Sequence, residues 1–223
     1  MGRHALIFGI SGAIGSAMCD HTLSQGWDVT GIGRRKARQA DIESLVADMK
    51  DEDSLETALT SLARPVDAVL FAQGYQPTCN LDETSMEHIR NMFDTHVAGT
   101  LVALKYLKPH LVQGGVVTLV SSVAANKGSY DASYAAAKGA VSSLVCSLTR
   151  ELFGLVRVNA VAPGLIKDSP VHRSMNSTHV VRHLERMFAH RLITAQEVAA
   201  TVWHLWENPY INGTVVAVDG GYV

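Results

Sequence analysis

The 223-residue chain has few cysteines and little excess charge of either sign. Its three cysteines, Cys19, Cys79 and Cys146, lie far apart and form no CxxC pair, so the sequence predicts no disulfide framework. Nineteen basic and twenty-one acidic residues give a formal net charge of −2, which argues against nucleic acid as a partner. Because free thiols fit a reducing compartment, we expect a cytoplasmic protein.

Long apolar runs are also missing. No stretch approaches the roughly 20 apolar residues that a membrane span needs, so we expect no membrane partner. The apolar run at Ala5–Gly15 contains three glycines and no small-residue cleavage site, which favours a strand and a turn over a signal peptide. With 47% hydrophobic and 18% charged residues, the composition is that of an ordinary globular chain.

Short apolar runs alternate with segments of helical periodicity along the whole chain, which predicts βαβ units and a parallel sheet. The predicted strands are Leu6–Phe8, Trp27–Ile32, Leu45–Ala47, Val66–Ala72, Val116–Val120, Val156–Val161 and Val215–Val218. The predicted helices are Ile14–Gln25, Ser54–Leu62, Ser85–Leu111, Ala132–Phe153 and Ala195–Trp206. Between the second and third strands, Arg34–Asp41 is too short for a full crossover helix and predicts a loop or a single turn.

A glycine-rich turn follows the first predicted strand and opens the first predicted helix. Its sequence is Gly9-Ile-Ser11-Gly12-Ala-Ile14-Gly15. This context is typical of a dinucleotide-binding turn, in which glycines allow backbone to approach a pyrophosphate at a helix N-terminus. The alternative is a glycine-rich turn without a ligand.

The end of the second strand indicates which nicotinamide cofactor to expect. An acidic residue there would bind the ribose 2′-hydroxyl of NAD, whereas arginine accommodates the 2′-phosphate of NADP. Here the strand ends Gly31-Ile-Gly33 and is followed by Arg34 and Arg35. Guanidinium groups suit phosphate, so we expect NADP(H) rather than NAD(H), unless both arginines are simply solvated.

Two side chains with acid/base chemistry lie one turn apart on a predicted helix. Tyr134 and Lys138 have a spacing of four, which places them on one helix face. A neighbouring ammonium would lower the pKa of the phenol and let it exchange a proton near neutral pH. Ser121 and Ser122 close the fifth strand at the ligand-binding edge of such a sheet, where a hydroxyl can hold a carbonyl oxygen or merely cap a turn.

Taken together, these features resemble the classical short-chain dehydrogenases/reductases over essentially the whole chain. The shared marks are the glycine turn, Ser122, Tyr134-x-x-x-Lys138, Asn159 with Pro163-Gly164, and the C-terminal Val218-Asp-Gly-Gly221. The resemblance implies an α/β fold: a single doubly wound Rossmann-type domain over residues 1–223, with a seven-stranded parallel sheet in the order 3-2-1-4-5-6-7. It also implies a homodimer or homotetramer built through Ser85–Leu111 and Ala132–Phe153.

The resemblance assigns roles to individual residues. Tyr134 would be the proton donor in reduction, Lys138 would hold the nicotinamide ribose and lower the tyrosine pKa, and Ser122 rather than Ser121 would orient the carbonyl. Asp48 would contact adenine. The full set of candidate cofactor contacts is Gly9, Ser11, Gly12, Ile14, Gly15, Arg34, Arg35, Asp48, Gly74, Tyr134, Lys138, Pro163, Gly164 and Ile166.

The chain departs from the family pattern at three places. Phe8 stands where the family usually has threonine, and Phe71-Ala-Gln-Gly74 replaces a segment that reads Asn-Asn-Ala-Gly. His96 aligns with the helical asparagine that completes the catalytic tetrad. A neutral imidazole there could seat a water, a titrating one would alter the pH profile, and a third possibility is a histidine that only packs.

These features predict an oxidoreductase that transfers hydride between NADP(H) and a small-molecule carbonyl or secondary alcohol, with residues 166–191 as a substrate lid. Two rivals remain: an epimerase or dehydratase of the same superfamily, and a regulatory protein that binds the nucleotide without catalysis. His179 and His183 lie four apart, but no HExxH pattern accompanies them and we expect no metal site.

Overall fold

Seven parallel strands form one sheet in the order 3-2-1-4-5-6-7, which the resemblance to the family implies. The structure is a computed structural model and describes residues 2–37, 42–75, 77 and 79–223. The strands are β1 (His4–Phe8), β2 (Asp28–Gly33), β3 (Glu43–Val46), β4 (Val66–Phe71), β5 (Leu111–Val120), β6 (Val156–Pro163) and β7 (Val215–Val218). The order reverses between β1 and β4, and such a switch point opens a crevice at the carboxyl edge of the sheet.

Helices cover both faces of this sheet. The α-helices are α1 (Ala13–Ser24), α2 (Glu52–Thr60), α3 (Met86–Phe93), α4 (Gly99–Leu107), α5 (Ala124–Lys127), α6 (Ala132–Glu151), α7 (Pro170–Ser174), α8 (Ser177–Glu185) and α9 (Ala195–Glu207). Alternate residues of the buried strands serve two apolar cores. On one face Leu6 packs with α2, α4 and α6, and on the other Ile7 packs with α1 and α9.

The segment predicted as one helix, Ser85–Leu111, is broken in the structure. It contains α3, a π-helical turn at Asp94–Ala98, α4 and a 3-10 turn at Lys108–His110. Pro109 has no backbone N–H to continue α4. Leu111 was wrongly included, since it pairs with Val66 and begins β5.

Two connections bear on the predicted site. Arg34–Ala37 form no helix after β2, while residues 38–41, including Asp41, lie outside the described residues. The segment at 166–191 contains the short helices α7 and α8. Its first residue, Ile166, pairs with Ile193, two residues beyond the segment, and the Lys167 backbone donates a hydrogen bond to the Ile193 carbonyl at 2.8 Å.

Within the part of the chain that the structure describes, no helix has both the length and the apolar character to cross a membrane.

Candidate active site

The glycine turn connects β1 to α1 at the switch point of the sheet, and two of its glycines cannot be replaced without a clash. Gly9 has φ of +72°, and a Cβ there would lie 2.6 Å from the backbone of Ala72. A Cβ on Gly15 would lie 2.3 Å from the Gly9 carbonyl oxygen. These close approaches press the turn against β4 and bring α1 tightly onto it, as a dinucleotide-binding turn requires.

Helix α1 presents its N-terminus at this turn. Gly12 is its N-cap, and no side chain of the described residues caps it. Ser11 and Gly12 are exposed and Ile14 is half-buried, so the backbone faces the crevice. Uncapped N–H groups with the positive end of the helix dipole suit a phosphate, and the local residues therefore fit the pyrophosphate of a dinucleotide.

Arg34 and Arg35 follow β2 directly and are both exposed. No acidic side chain occurs in the last three residues of that strand, Gly31-Ile-Gly33. Asp48 lies just beyond β3, half-buried, and its Oδ1 accepts a hydrogen bond from the Lys50 backbone at 3.0 Å. The predicted cofactor residues of β1, β2 and β3 thus follow adjacent strands at the same sheet edge.

Two of the departures from the family pattern, Phe8 and Phe71, are in contact with each other. Phe8 of β1 and Phe71 of β4 are register partners, and their rings stack with centroids 4.3 Å apart. Both side chains are buried. An aromatic pair gains apolar burial that a threonine–asparagine pair would not, so the two replacements act as one core substitution beside the glycine turn.

The two serines after β5 have different environments. The Ser121 hydroxyl donates to the Lys138 backbone carbonyl at 2.9 Å and lies 2.7 Å from the Ser142 hydroxyl. Ser122 Oγ accepts from the Ala124 backbone at 3.1 Å, and its hydroxyl is near enough to the Tyr134 phenol to lower the pKa of that phenol. Ser121 therefore fastens α6 to β5, whereas Ser122 is the serine that meets the phenol.

Tyr134 and Lys138 lie on the first turns of α6, on the face toward β5. The Lys138 side chain is almost fully buried, and its Nζ donates to the Val120 carbonyl at 2.8 Å. Nζ also lies 5.8 Å from the centre of the Tyr134 ring. Burial lowers the pKa of Lys138 to about 7.

The pKa of Tyr134 differs from the sequence-based expectation. Lys138 was expected to lower it, but burial raises it, and the hydrogen bond with Ser122 opposes that rise only in part. The expectation considered charge alone and not the cost of an ionised phenol in a packed site. A raised pKa keeps the phenol protonated at neutral pH.

His96 lies in the π-helical turn, is 2% exposed, and packs its ring edge-on to Tyr134 with centroids 6.0 Å apart. Its Nε2 is 3.1 Å from the Tyr75 carbonyl oxygen. Since a carbonyl only accepts, Nε2 carries the proton and Nδ1 is an acceptor. Burial, with a smaller effect from the Lys138 charge, lowers the pKa of His96 to about 3, which disfavours a histidine that titrates near neutral pH.

The remaining predicted residues border the same edge. Pro163 ends β6, and its carbonyl accepts from the Val123 backbone at 2.9 Å, which ties the Ser122 loop to β6. Gly164 lies so close to the segment after β7 that a Cβ would be 3.2 Å from Asp219 Cα. Gly74 is exposed just beyond β4, and Ile166 is half-buried at the base of the predicted lid.

Three contacts at this site went unrecognised in the sequence. Asp131 caps α6, and a capping aspartate three residues before Tyr134 is a recognisable signal. A Cβ on Gly99 would lie 2.1 Å from the Met49 carbonyl oxygen, so this glycine lets α4 approach the loop after β3. The Tyr75 carbonyl that binds His96 carries no sequence signal at all.

Known proteins share this sequence pattern and fold. A family model described as enoyl-(acyl carrier protein) reductase matches residues 9–223. An uncharacterized oxidoreductase of Bacillus subtilis, YmfI, is 28% identical over 241 residues, covering 100% of this chain and 99% of that protein. Carbonyl reductase family member 4 of Xenopus tropicalis is 29% identical, covering 99% of this chain and 98% of that protein.

Another relative is the human 3-oxoacyl-[acyl-carrier-protein] reductase, which is 29% identical and covers 99% of this chain and 98% of that protein. Among solved structures, a short chain dehydrogenase family protein of Francisella tularensis superposes with a TM-score of 0.92. At 21% identity, over 100% of this chain and 99% of that one, this likeness shows a common fold.

The chain belongs to the short-chain dehydrogenase/reductase family. It is an oxidoreductase of that family, whose members use nicotinamide cofactors, act on small molecules and are commonly oligomeric.

Proposed function

We propose that the protein is an NADP(H)-dependent reductase that interconverts a carbonyl compound and a secondary alcohol, with Tyr134 as the acid/base. The observation that supports this most is the meeting of Ser122, Tyr134 and Lys138 at the carboxyl edge of β5. There the Ser122 hydroxyl lies beside the Tyr134 phenol, whose pKa is raised by burial. A protonated phenol is what carbonyl reduction needs at neutral pH.

In this proposal, Ser122 and Tyr134 have separate roles at the substrate oxygen. Ser122 Oγ already accepts from the Ala124 backbone, so its own proton is available to the substrate oxygen. Tyr134 donates its hydroxyl proton to that oxygen as negative charge develops there. A bound nicotinamide supplies the hydride that the carbonyl carbon gains, or takes it back in the reverse reaction.

Lys138 and His96 act around the phenol. In this proposal Lys138 holds the nicotinamide ribose, and because burial lowers its pKa to about 7 it can return a proton toward Tyr134. His96 occupies the tetrad-asparagine position as a neutral imidazole whose Nδ1 can accept a hydrogen bond from a relay water. Both side chains are near the phenol ring, since Lys138 Nζ is 5.8 Å and the centre of the His96 ring is 6.0 Å from the centre of the Tyr134 ring.

The cofactor preference rests on Arg34 and Arg35. Both are exposed beyond a strand end that carries no carboxylate, and the names of the curated relatives include carbonyl and 3-oxoacyl reductases. The glycine turn and the remaining predicted residues would hold the cofactor: Ser11, Gly12, Ile14, Asp48, Gly74, Pro163, Gly164 and Ile166. Arginine matches a 2′-phosphate with two parallel hydrogen bonds, so we propose NADP(H).

The larger organisation is part of the same proposal. Residues 1–223 form one domain, with 166–191 as the substrate lid, and copies associate through the two segments Ser85–Leu111 and Ala132–Phe153. Apolar side chains are exposed on both, including Leu101 and Phe153. Light scattering after gel filtration tests this, with a monomer as the contrary result. Three free thiols agree with a cytoplasmic location.

Turnover of NADPH with a panel of ketones, aldehydes and 3-oxoacyl thioesters tests the function. We expect NADPH oxidation with at least one carbonyl class, and a loss of about 10²–10⁴-fold in kcat for Tyr134→Phe with unchanged NADPH affinity. Tyr130→Phe, an exposed tyrosine four residues earlier, serves as the control. Equal rates for Tyr134→Phe and the wild type would exclude the assigned role.

A further inference from the structure

The helix that carries Tyr134 begins at a buried carboxylate whose two oxygens are both bound. Asp131 Oδ1 accepts from the Tyr134 backbone N–H at 3.0 Å and from the Ser133 hydroxyl at 2.6 Å. Its side chain is 3% exposed. The carboxylate therefore meets Tyr134 directly, through the backbone of the third residue of α6.

The other oxygen is bound by a histidine from a different helix. His88 Nε2 lies 2.8 Å from Asp131 Oδ2, and the His88 side chain is 11% exposed. His88 belongs to the first turn of α3, where the Ser85 hydroxyl accepts its backbone N–H at 3.0 Å. Since a carboxylate only accepts, Nε2 donates, and α3 is thereby fastened to the start of α6.

The charge of Asp131 depends on these donors. Burial by itself would raise its pKa, but the hydrogen bonds from Ser133, from the Tyr134 backbone and from His88 outweigh that effect and lower it. A buried carboxylate that loses one donor keeps the cost of desolvation, which the lost hydrogen bond had offset. Without His88, Asp131 Oδ2 would turn toward water for a hydrogen-bond donor. This movement would distort the helix cap that binds the Tyr134 backbone.

We propose that His88 and Asp131 form a positioning pair that fixes the N-terminus of α6 and thereby holds the Tyr134 hydroxyl against Ser122. Neither residue is among the predicted catalytic or cofactor-binding residues, and Asp131 contacts Tyr134 through its backbone N–H. This inference rests on the proposed role of Tyr134 as the acid/base. The geometric part, the placement of the phenol, is measurable without any turnover.

The test uses protein labelled with ¹³Cζ-tyrosine, in which Tyr134→Phe identifies the Tyr134 signal among the six tyrosines. Three variants are compared with the wild type. His88→Leu removes the donor, His88→Gln keeps an amide N–H at the position of Nε2, and Asp131→Asn keeps the helix cap while changing the partner of His88. Asp51→Ala, which removes the equivalent aspartate cap from α2, is the matched control.

We expect the Tyr134 signal to shift or broaden in His88→Leu and, to a smaller degree, in Asp131→Asn. His88→Gln should return it toward the wild-type position, and Asp51→Ala should leave it unchanged. In turnover, His88→Leu should lower kcat about tenfold or more with little change in NADPH affinity, because small misplacements of a catalytic group are costly. Asp131→Asn serves as the reporter should His88→Leu not fold.

A Tyr134 signal that stays in place in both His88→Leu and Asp131→Asn, even with a lowered thermal midpoint, would overturn the proposal and leave the pair a purely structural contact. If the wild type reduces no carbonyl compound but the Tyr134 signal still moves in the variants, the positioning pair is retained and the proposed function is rejected.

Discussion

Lys138 Nζ donates a hydrogen bond to the Val120 carbonyl at 2.8 Å, in a side chain that is 4% exposed. Few lysines are buried this deeply, because an ammonium loses its hydration there. The bond fixes Nζ at the last residue of β5, 5.8 Å from the centre of the Tyr134 ring. The burial that suits the site chemically also lowers the pKa of Lys138 to about 7 and costs stability.

Replacing Lys138 should make the protein more stable in a pH-dependent way. The folded state binds the proton more weakly than the unfolded state, whose pKa is near 10.5, so wild-type stability rises with pH between about 7 and 10.5. Lys138→Met lacks this dependence. We expect the free energy of unfolding of Lys138→Met, measured in urea without nucleotide, to exceed that of the wild type at pH 7. This difference should be about 2–3 kcal/mol smaller at pH 9.

If the difference in unfolding free energy between Lys138→Met and the wild type is constant across that pH range, Lys138 keeps its ordinary proton affinity when buried. Lys127→Met, which replaces an exposed lysine outside the proposed association segments, is the control for the general effect of removing a lysine charge.

The two neighbouring serines should separate stability from catalysis. Ser121→Ala removes the buried bond to the Lys138 carbonyl, which should cost about 1–2 kcal/mol of unfolding free energy and leave kcat within about twofold. Ser122→Ala should lower kcat about 10–100-fold, since it removes a donor to the reacting oxygen. Chemical denaturation and steady-state kinetics on both variants provide the comparison, and the reverse pattern would reassign the catalytic serine.

His96 should make the protein sensitive to acid. Its folded pKa is lowered to about 3 from an ordinary 6.5, so the unfolded state binds the proton first and stability falls as pH drops from 6.5 toward 3. His96→Asn removes this contribution. Between pH 7 and pH 5 the wild type should lose about 2 kcal/mol more than His96→Asn in urea unfolding.

If His96→Asn and the wild type lose the same unfolding free energy between pH 7 and pH 5, groups other than His96 account for the acid sensitivity. His110→Asn, a half-buried histidine at the opposite edge of the sheet, controls for the general effect of removing an imidazole.

Most strand positions follow from the sequence, because buried parallel strands are short apolar runs and the helices between them have a clear period. The order of the strands in the sheet came instead from the resemblance to the family. The choice of Ser122 over Ser121 rested on a resemblance, and the contacts of Ser121 with α6 now give it a physical reason. Local patterns of this kind lie within a few residues of each other and are therefore readable in the sequence.

What the sequence left hidden depends on residues that are distant along the chain. The π-helical turn at Asp94–Ala98 has no marker in its local periodicity, and the bond of His96 to the Tyr75 carbonyl joins residues 21 positions apart. His88 and Asp131 are 43 positions apart. The direction of the Tyr134 pKa shift likewise depends on packing that only the folded chain provides.

The most direct test of the account is a fluorescence titration with NADPH and with NADH, on the wild type and on Arg34→Ala/Arg35→Ala. A matched double variant, Arg3→Ala/Arg64→Ala, removes two positive charges that precede β1 and β4 at the opposite edge of the sheet, outside the two proposed association segments. We predict micromolar binding of NADPH and much weaker binding of NADH in the wild type and in the matched variant, with the difference lost in Arg34→Ala/Arg35→Ala. Preference of the wild type for NADH would contradict the assigned 2′-phosphate site, and binding of neither nucleotide would contradict the central claim that this chain is a nicotinamide-dependent reductase.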